Sequence, residues 1–76
     1  MINDVLVVDD DASIRKTVST GLQARNFSVI TTPNGNRAIE EINQNQAKVV
    51  VLDLGLPDVD GIDLVRTIRT FSNIPI

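Results

Sequence analysis

Apolar and polar positions along this chain follow two different rhythms. Val5-Leu6-Val7-Val8 and Val49-Val50-Val51-Leu52 are unbroken β-branched and leucine runs, the pattern of strands covered on both faces, as in a parallel sheet. Between them the repeat lengthens. Ile14, Val18 and Leu22 recur with Arg15, Lys16 and Gln23 on other faces, which predicts an amphipathic helix over residues 12–25. Asp11 and Ser13 are its N-cap candidates, and Asn26 tolerates the left-handed conformation that closes a helix.

A second short strand falls within residues 27–32, and Pro33-Asn34-Gly35 reads as a turn. Ala38, Ile39 and Ile42 then mark one face of a short helix, with Glu40 and Glu41 solvated. The polar stretch Asn43-Gln44-Asn45-Gln46 is taken as a connection to a third strand over residues 48–52. Gly55, Pro57 and Gly61 make residues 53–61 a loop, after which Ile62, Leu64, Val65 and Ile68 outline a third helix ending near Phe71. Ile74-Pro75-Ile76 reads as the beginning of a fourth strand. This alternation is the signature of βαβ units and of an α/β, doubly wound parallel sheet with helices on both faces.

Composition narrows the chemistry. Seventy-six residues make one domain, which at this size buries only roughly 60% of the unfolded chain's surface. The absence of cysteine and histidine removes disulfides, thiolate nucleophiles and the usual zinc ligands together. Seven basic against ten acidic residues give a net charge of -3, with no basic stripe to neutralise several phosphates, so direct nucleic-acid binding is not expected. No apolar stretch approaches the ~20 residues of a membrane helix, and no basic segment precedes one. The chain reads as cytoplasmic, with no membrane partner.

The two apolar runs both end in carboxylates, Asp9-Asp10-Asp11 after the first and Asp53 after the second. Ligands of doubly wound sheets bind at the carboxyl ends of strands, where strand order reverses. If the two strands are neighbours, Asp9, Asp10 and Asp53 share one crevice, and like charges confined there call for a raised carboxylate pKa or a divalent cation. Asp10 and Asp53 could hold one hard cation such as Mg2+, with backbone carbonyls and waters completing its shell. Beside such a cation a carboxylate can attack phosphorus and form an aspartyl-phosphate. Asp53 is the better nucleophile, standing alone before Leu54-Gly55-Leu56-Pro57, where Gly55 permits close backbone approach of its carbonyl and Pro57 stiffens the loop. Asp9 and Asp10 become the metal-side pair. Asp11 is left to capping, Asp58, Asp60 and Asp63 to a solvated acidic loop and helix start, and Arg66 and Arg69 have no placed partner.

Val7-Val8-Asp9-Asp10-Asp11 with Ile14-Arg15, followed by residues 51–61 from Val51-Leu52-Asp53 through Pro57-Asp58-Val59-Asp60-Gly61, resembles the receiver domain of two-component response regulators. The match is to the OmpR/PhoB group, and residues 52–61 are particularly similar to KdpE-type regulators. The resemblance implies a flavodoxin-like fold, incomplete here as βαβαβα plus a strand stub, with residues 1–76 as the N-terminal part of a receiver. It implies that Asp53 accepts a phosphoryl group from the histidine of a sensor histidine kinase and that the chain is an acceptor rather than a turnover enzyme. It also implies Mg2+ held by Asp10, Asp53 and the Gly55 carbonyl, with Asp9 acting through a metal-bound water.

Ala47-Lys48 stands where the family often has Pro-Asp. The family's hydroxyl residue after the fourth strand and lysine after the fifth have no counterpart in these residues, so metal binding is expected to be retained better than phosphorylation, and phosphorylation better than switching. An uncovered apolar sheet edge predicts a homodimer or swapped assembly. A DNA-binding domain would belong to a longer gene product. Two other readings compete: a structural or interaction fragment with a vestigial acidic pocket, and a haloacid dehalogenase-like phosphatase using Asp9-x-Asp11. The second is a poor fit at Ala12-Ser13 and leaves the Asp53 loop unexplained.

Overall fold

The computed structural model describes residues 2–76. Its elements run β1 (Asn3–Val8), α1 (Ala12–Gln23), β2 (Val29–Thr32), α2 (Gly35–Asn43), β3 (Ala47–Leu52) and α3 (Gly61–Arg69). The strands form one parallel sheet in the order β2-β1-β3. Residues 5–8 pair with residues 29–32 on one side and with residues 49–52 on the other. Being central and sandwiched, Val5, Leu6, Val7 and Val8 are all buried, which is the reason the run is apolar without alternation.

From β1 the chain passes through α1 to β2 on one side, then through α2 to β3 on the other. With right-handed crossovers, that reversal places α1 on one face and α2 with α3 on the opposite face. The main core lies on the second face: Leu6, Val8 and Val50 pack with Ala38 and Ile42 of α2, Leu64 and Ile68 of α3, and Leu56 from the loop between β3 and α3. Val5 and Val7 turn to the α1 face, as strand alternation requires.

Several expectations need correction. The turn at Pro33-Asn34-Gly35 is a helix start: Asn34 is the N-cap of α2, its side chain accepting the Arg37 N–H at 2.9 Å, and Gly35 is already helical. Helix α1 stops at Gln23, and residues 24–26 form a closing turn in which Asn26 adopts φ 69°. Helix α3 likewise ends at Arg69, short of Phe71. Its buried residues are Gly61, Leu64 and Ile68, while Ile62 is exposed.

The apolar stripe of α1 is not core either. The helix contributes no buried residue, and Ile14 is 46% exposed. On the same face of the sheet Val51 is also 46% exposed, since α1 lies over β1 and β2. Residues 74–76 form no regular strand, although the Val50 N–H donates to the Pro75 carbonyl at 2.9 Å. Pro75 has no N–H to return, and the Ile74 carbonyl is taken by the Arg69 guanidinium at 2.7 Å. Arg69 therefore has partners after all, this carbonyl and that of Ser72, and Arg66 lies 3.8 Å from Asp63.

Candidate functional site

The register that pairs Val8 with Leu52 brings the residues after both strands side by side. The Asp53 N–H donates to the Val8 carbonyl at 2.9 Å, and the Asp9 N–H to the Thr32 carbonyl at 3.2 Å. Parallel pairing thus extends just past the strand ends and fixes the backbones from which the carboxylates project. One oxygen from each of Asp9, Asp10 and Asp53 lies within 4.8 Å of the others. The three carboxylates therefore converge as expected at the ends of β1 and β3, on either side of which the chain changes direction.

The three carboxylates are not equivalent. Asp10 is exposed, whereas Asp9 and Asp53 are half-buried. Asp9 accepts the Asp11 N–H through Oδ1 at 2.9 Å, and its backbone carbonyl accepts from the Arg15 guanidinium at 2.8 Å. Asp53 accepts the Gly55 N–H through Oδ1 at 3.0 Å. Asp11 stands apart as the N-cap of α1, accepting from Ser13 at 2.8 Å and Ile14 at 3.3 Å. Capping is the reason this Asp follows the strand, and it keeps the side chain off the cluster.

Three hard oxygen donors, with no histidine or cysteine anywhere in the chain, suit Mg2+ or another hard cation rather than zinc. Oxygens on opposite sides of one magnesium ion stand about 4.2 Å apart, the same scale as the observed cluster. The donor set and its spread fit such an ion.

The loop from β3 to α3 departs from its expected reading. At Gly55 an added Cβ would meet Asp53 Oδ1 at 3.6 Å, an ordinary contact, and no glycine has positive φ. Close approach of neighbouring protein atoms is demanded at Gly61, where a Cβ would collide with the backbone of Leu54, and at Gly35, where it would collide with Val59. Asp60 is the N-cap of α3, accepting from Ile62 and Asp63. Asp58, expected to be merely solvated, accepts the N–H groups of Gly35 at 2.9 Å and Asn36 at 3.0 Å. Those two donors hold its carboxyl below the usual carboxylate range, with desolvation opposing them. Asp58 and Arg15 are the residues near the site whose roles the sequence reading missed.

The response regulator receiver domain family matches residues 5–76. This chain belongs to that family. Over 72 residues it is 40% identical to the "Probable transcriptional regulator ycf27" of Guillardia theta, covering 95% of this chain and 28% of the relative. Over 75 residues it is 33% identical to the "KDP operon transcriptional regulatory protein KdpE" of Escherichia coli K12, covering 99% of this chain and 33% of the relative.

Among solved receivers, TrrA of Thermotoga maritima, in complex with Mg(2+)-BeF, superposes with TM-score 0.83 and 29% identity, over 91% of this chain and 60% of that one. The receiver domain of the Saccharomyces cerevisiae response regulator Ssk1, crystallised with the histidine phosphotransfer protein Ypd1, superposes with TM-score 0.84 and 26% identity, over 92% of this chain and 48% of that one. The fold is therefore the flavodoxin-like receiver fold in part, and the chain spans a third or less of the two curated relatives' length. Receiver domains accept phosphoryl groups in two-component signalling.

Proposed function

We propose that this receiver domain chain is the N-terminal part of a phosphoacceptor module, with Asp53 receiving the phosphoryl group from a sensor histidine kinase. The observation that carries the reading is the convergence of Asp9, Asp10 and Asp53 at the carboxyl ends of β1 and β3. A free carboxylate oxygen of Asp53 attacks phosphorus, the phosphorus–nitrogen bond of the phosphohistidine breaks, and its electron pair returns to the imidazole nitrogen. Asp53 Oδ1 is engaged by Gly55. Among the described residues no donor reaches Oδ2, the oxygen left for the attack.

Mg2+ would be held by Asp10, Asp53 and the Gly55 carbonyl, with Asp9 acting through a bound water. When bound, the ion supplies positive charge that offsets the carboxylates and the incoming phosphoryl oxygens. The reading is supported by the donor chemistry of the cluster and by the Mg(2+)-BeF complex of the similar TrrA receiver. The Ypd1 complex of the Ssk1 receiver supports a phosphohistidine protein as the donor partner. The chain is thus modified stoichiometrically rather than turning substrate over. It works in the cytoplasm beside its kinase, and no described helix is long and apolar enough to cross a membrane. Resemblance to transcriptional regulators supports control of transcription as the output of a longer gene product.

Self-association is the second part of the proposal. The outer edge of β3 is met only by the Val50 to Pro75 hydrogen bond among the described residues, beside the half-exposed Val51 and Ile76. An edge of this kind pairs with a second copy, as a homodimer or swapped assembly.

Incubation with Mg2+ and a small acyl phosphate tests the acceptor reading. One phosphoryl group should be added to the chain and none to Asp53→Asn. No modification at millimolar donor would favour a purely structural fragment, and steady turnover through Asp9 would favour a phosphatase.

A further inference from the structure

We propose that Asp58 is a positioning residue for the metal-binding loop: by clasping the N-terminus of α2, it holds the segment that carries Gly55 and so sets how tightly the site binds magnesium. The inference rests on the metal assignment above and adds to it the residue that keeps the loop in place.

Asp58 spends both carboxylate oxygens on α2, Oδ1 on the Gly35 N–H and Oδ2 on the Asn36 N–H. These are first-turn amides with no partner inside the helix, at its positive end. Asn34 already caps the same helix through the Arg37 N–H. Asp58 is thus a second acceptor, delivered from the loop that follows β3.

The adjoining residue makes an independent contact. Val59 lies so close to Gly35 that a Cβ there would collide with Val59 Cγ1 and stand 3.3 Å from Leu64 Cδ2. The loop can seat on α2 only because residue 35 has no side chain.

The other hydrogen bonds of the loop do not anchor it to the sheet or to α2. Gly55 donates to Asp53, Gly61 to the Leu54 carbonyl at 3.1 Å, and Asp60 caps α3. They shape the loop and join it to its own helix. Beyond Asp53 itself, whose N–H binds Val8, the Asp58 pair are the hydrogen bonds that tie the loop to α2 among the described residues. Gly55 lies between these two attachments and beside Leu56, which is seated in the core. The Asp58 pair adds to that apolar seat and limits the polar backbone of the loop that the core does not hold.

Magnesium titration and backbone relaxation of the isotope-labelled 76-residue chain test this. Asp58→Ala should weaken magnesium binding by roughly tenfold, the low end for residues that act behind metal ligands. In the same variant the order parameters of the exposed Leu54 and Gly55 should fall from about 0.85 toward about 0.6, while that of Leu56, held in the core, should change less. Asp58→Asn, which keeps one acceptor oxygen, should lie between. Gly35→Ala, which displaces Val59 without removing a charge, should move both readouts the same way.

A plain helix cap would lower the unfolding midpoint and speed amide exchange at Gly35 and Asn36 alone. Unchanged magnesium affinity and loop order in folded Asp58→Ala would therefore overturn the proposal. If that variant does not fold, Asp58→Asn decides on the same two readouts. If the unsubstituted chain binds no magnesium, the metal assignment fails, while loop order in the variants still decides whether Asp58 holds the loop.

Discussion

Asp9 accepts the N–H of Asp11 through Oδ1 at 2.9 Å, so one oxygen of this site carboxylate is committed to the turn that starts α1. Asp10 has no such tie among the described residues and is exposed. The proposed assignment gives Asp9 an outer role and Asp10 a direct one. Asp9→Asn should weaken magnesium binding by about tenfold and Asp10→Asn by about a hundredfold or more, on the scale set by outer-shell substitutions. Calorimetric titration checks the order. Equal losses would show that both bind the ion directly.

Acid should loosen the fold at two places remote from one another. Asp58 is held below the usual carboxylate range by the Gly35 and Asn36 N–H groups. Asp4, at the start of β1, is held low chiefly by the Ser28 N–H, with desolvation opposing and the Ser28 hydroxyl and Lys48 adding to the effect. A carboxylate lowered on folding stabilises the native state above its unfolded value of 3.8. That contribution is lost as pH falls through the folded value. Denaturation midpoints should accordingly hold above the ordinary carboxylate range and drop below it. Asp4→Asn combined with Asp58→Asn should flatten that drop, and an unaltered pH profile in the double variant would contradict it.

The exposed half of the α1 face offers a test of self-association. Val51 is 46% exposed beside the free edge of β3, and Val51→Lys places a charge there. Removing about 1.5 kcal/mol of apolar burial corresponds to about a tenfold weaker association. Sedimentation across a concentration series should show the assembly dissociating at correspondingly higher concentration in the variant. A monodisperse, cooperatively unfolding monomer at micromolar concentration for the unsubstituted chain would refute the assembly.

Asp11 and Asp58 show what a single sequence can disclose. Asp11 caps the helix two residues away, so its role is local and legible, as are the buried run of β1 and the closing turn at Asn26. The cluster of Asp9, Asp10 and Asp53 was legible too, because strand ends and the switch-point rule place it without any side-chain detail. Asp58 finds its partners 23 and 22 positions earlier, which only the packing of the β3 to α3 loop on α2 could reveal. The same holds for Gly35, whose missing Cβ reads as a turn until Val59 is seen against it. Helix α1 errs in the other direction. The spacing of Ile14, Val18 and Leu22 announces an apolar stripe but cannot say whether anything covers it.

The central claim is that Asp53 is the acceptor. Peptide mapping after brief exposure to magnesium and an acyl phosphate decides among the three clustered carboxylates. One phosphoryl group on the peptide containing Asp53, absent in Asp53→Asn and without magnesium, is the predicted result. A phosphoryl group on the peptide containing Asp9 and Asp10, or modification that persists in Asp53→Asn, would contradict it.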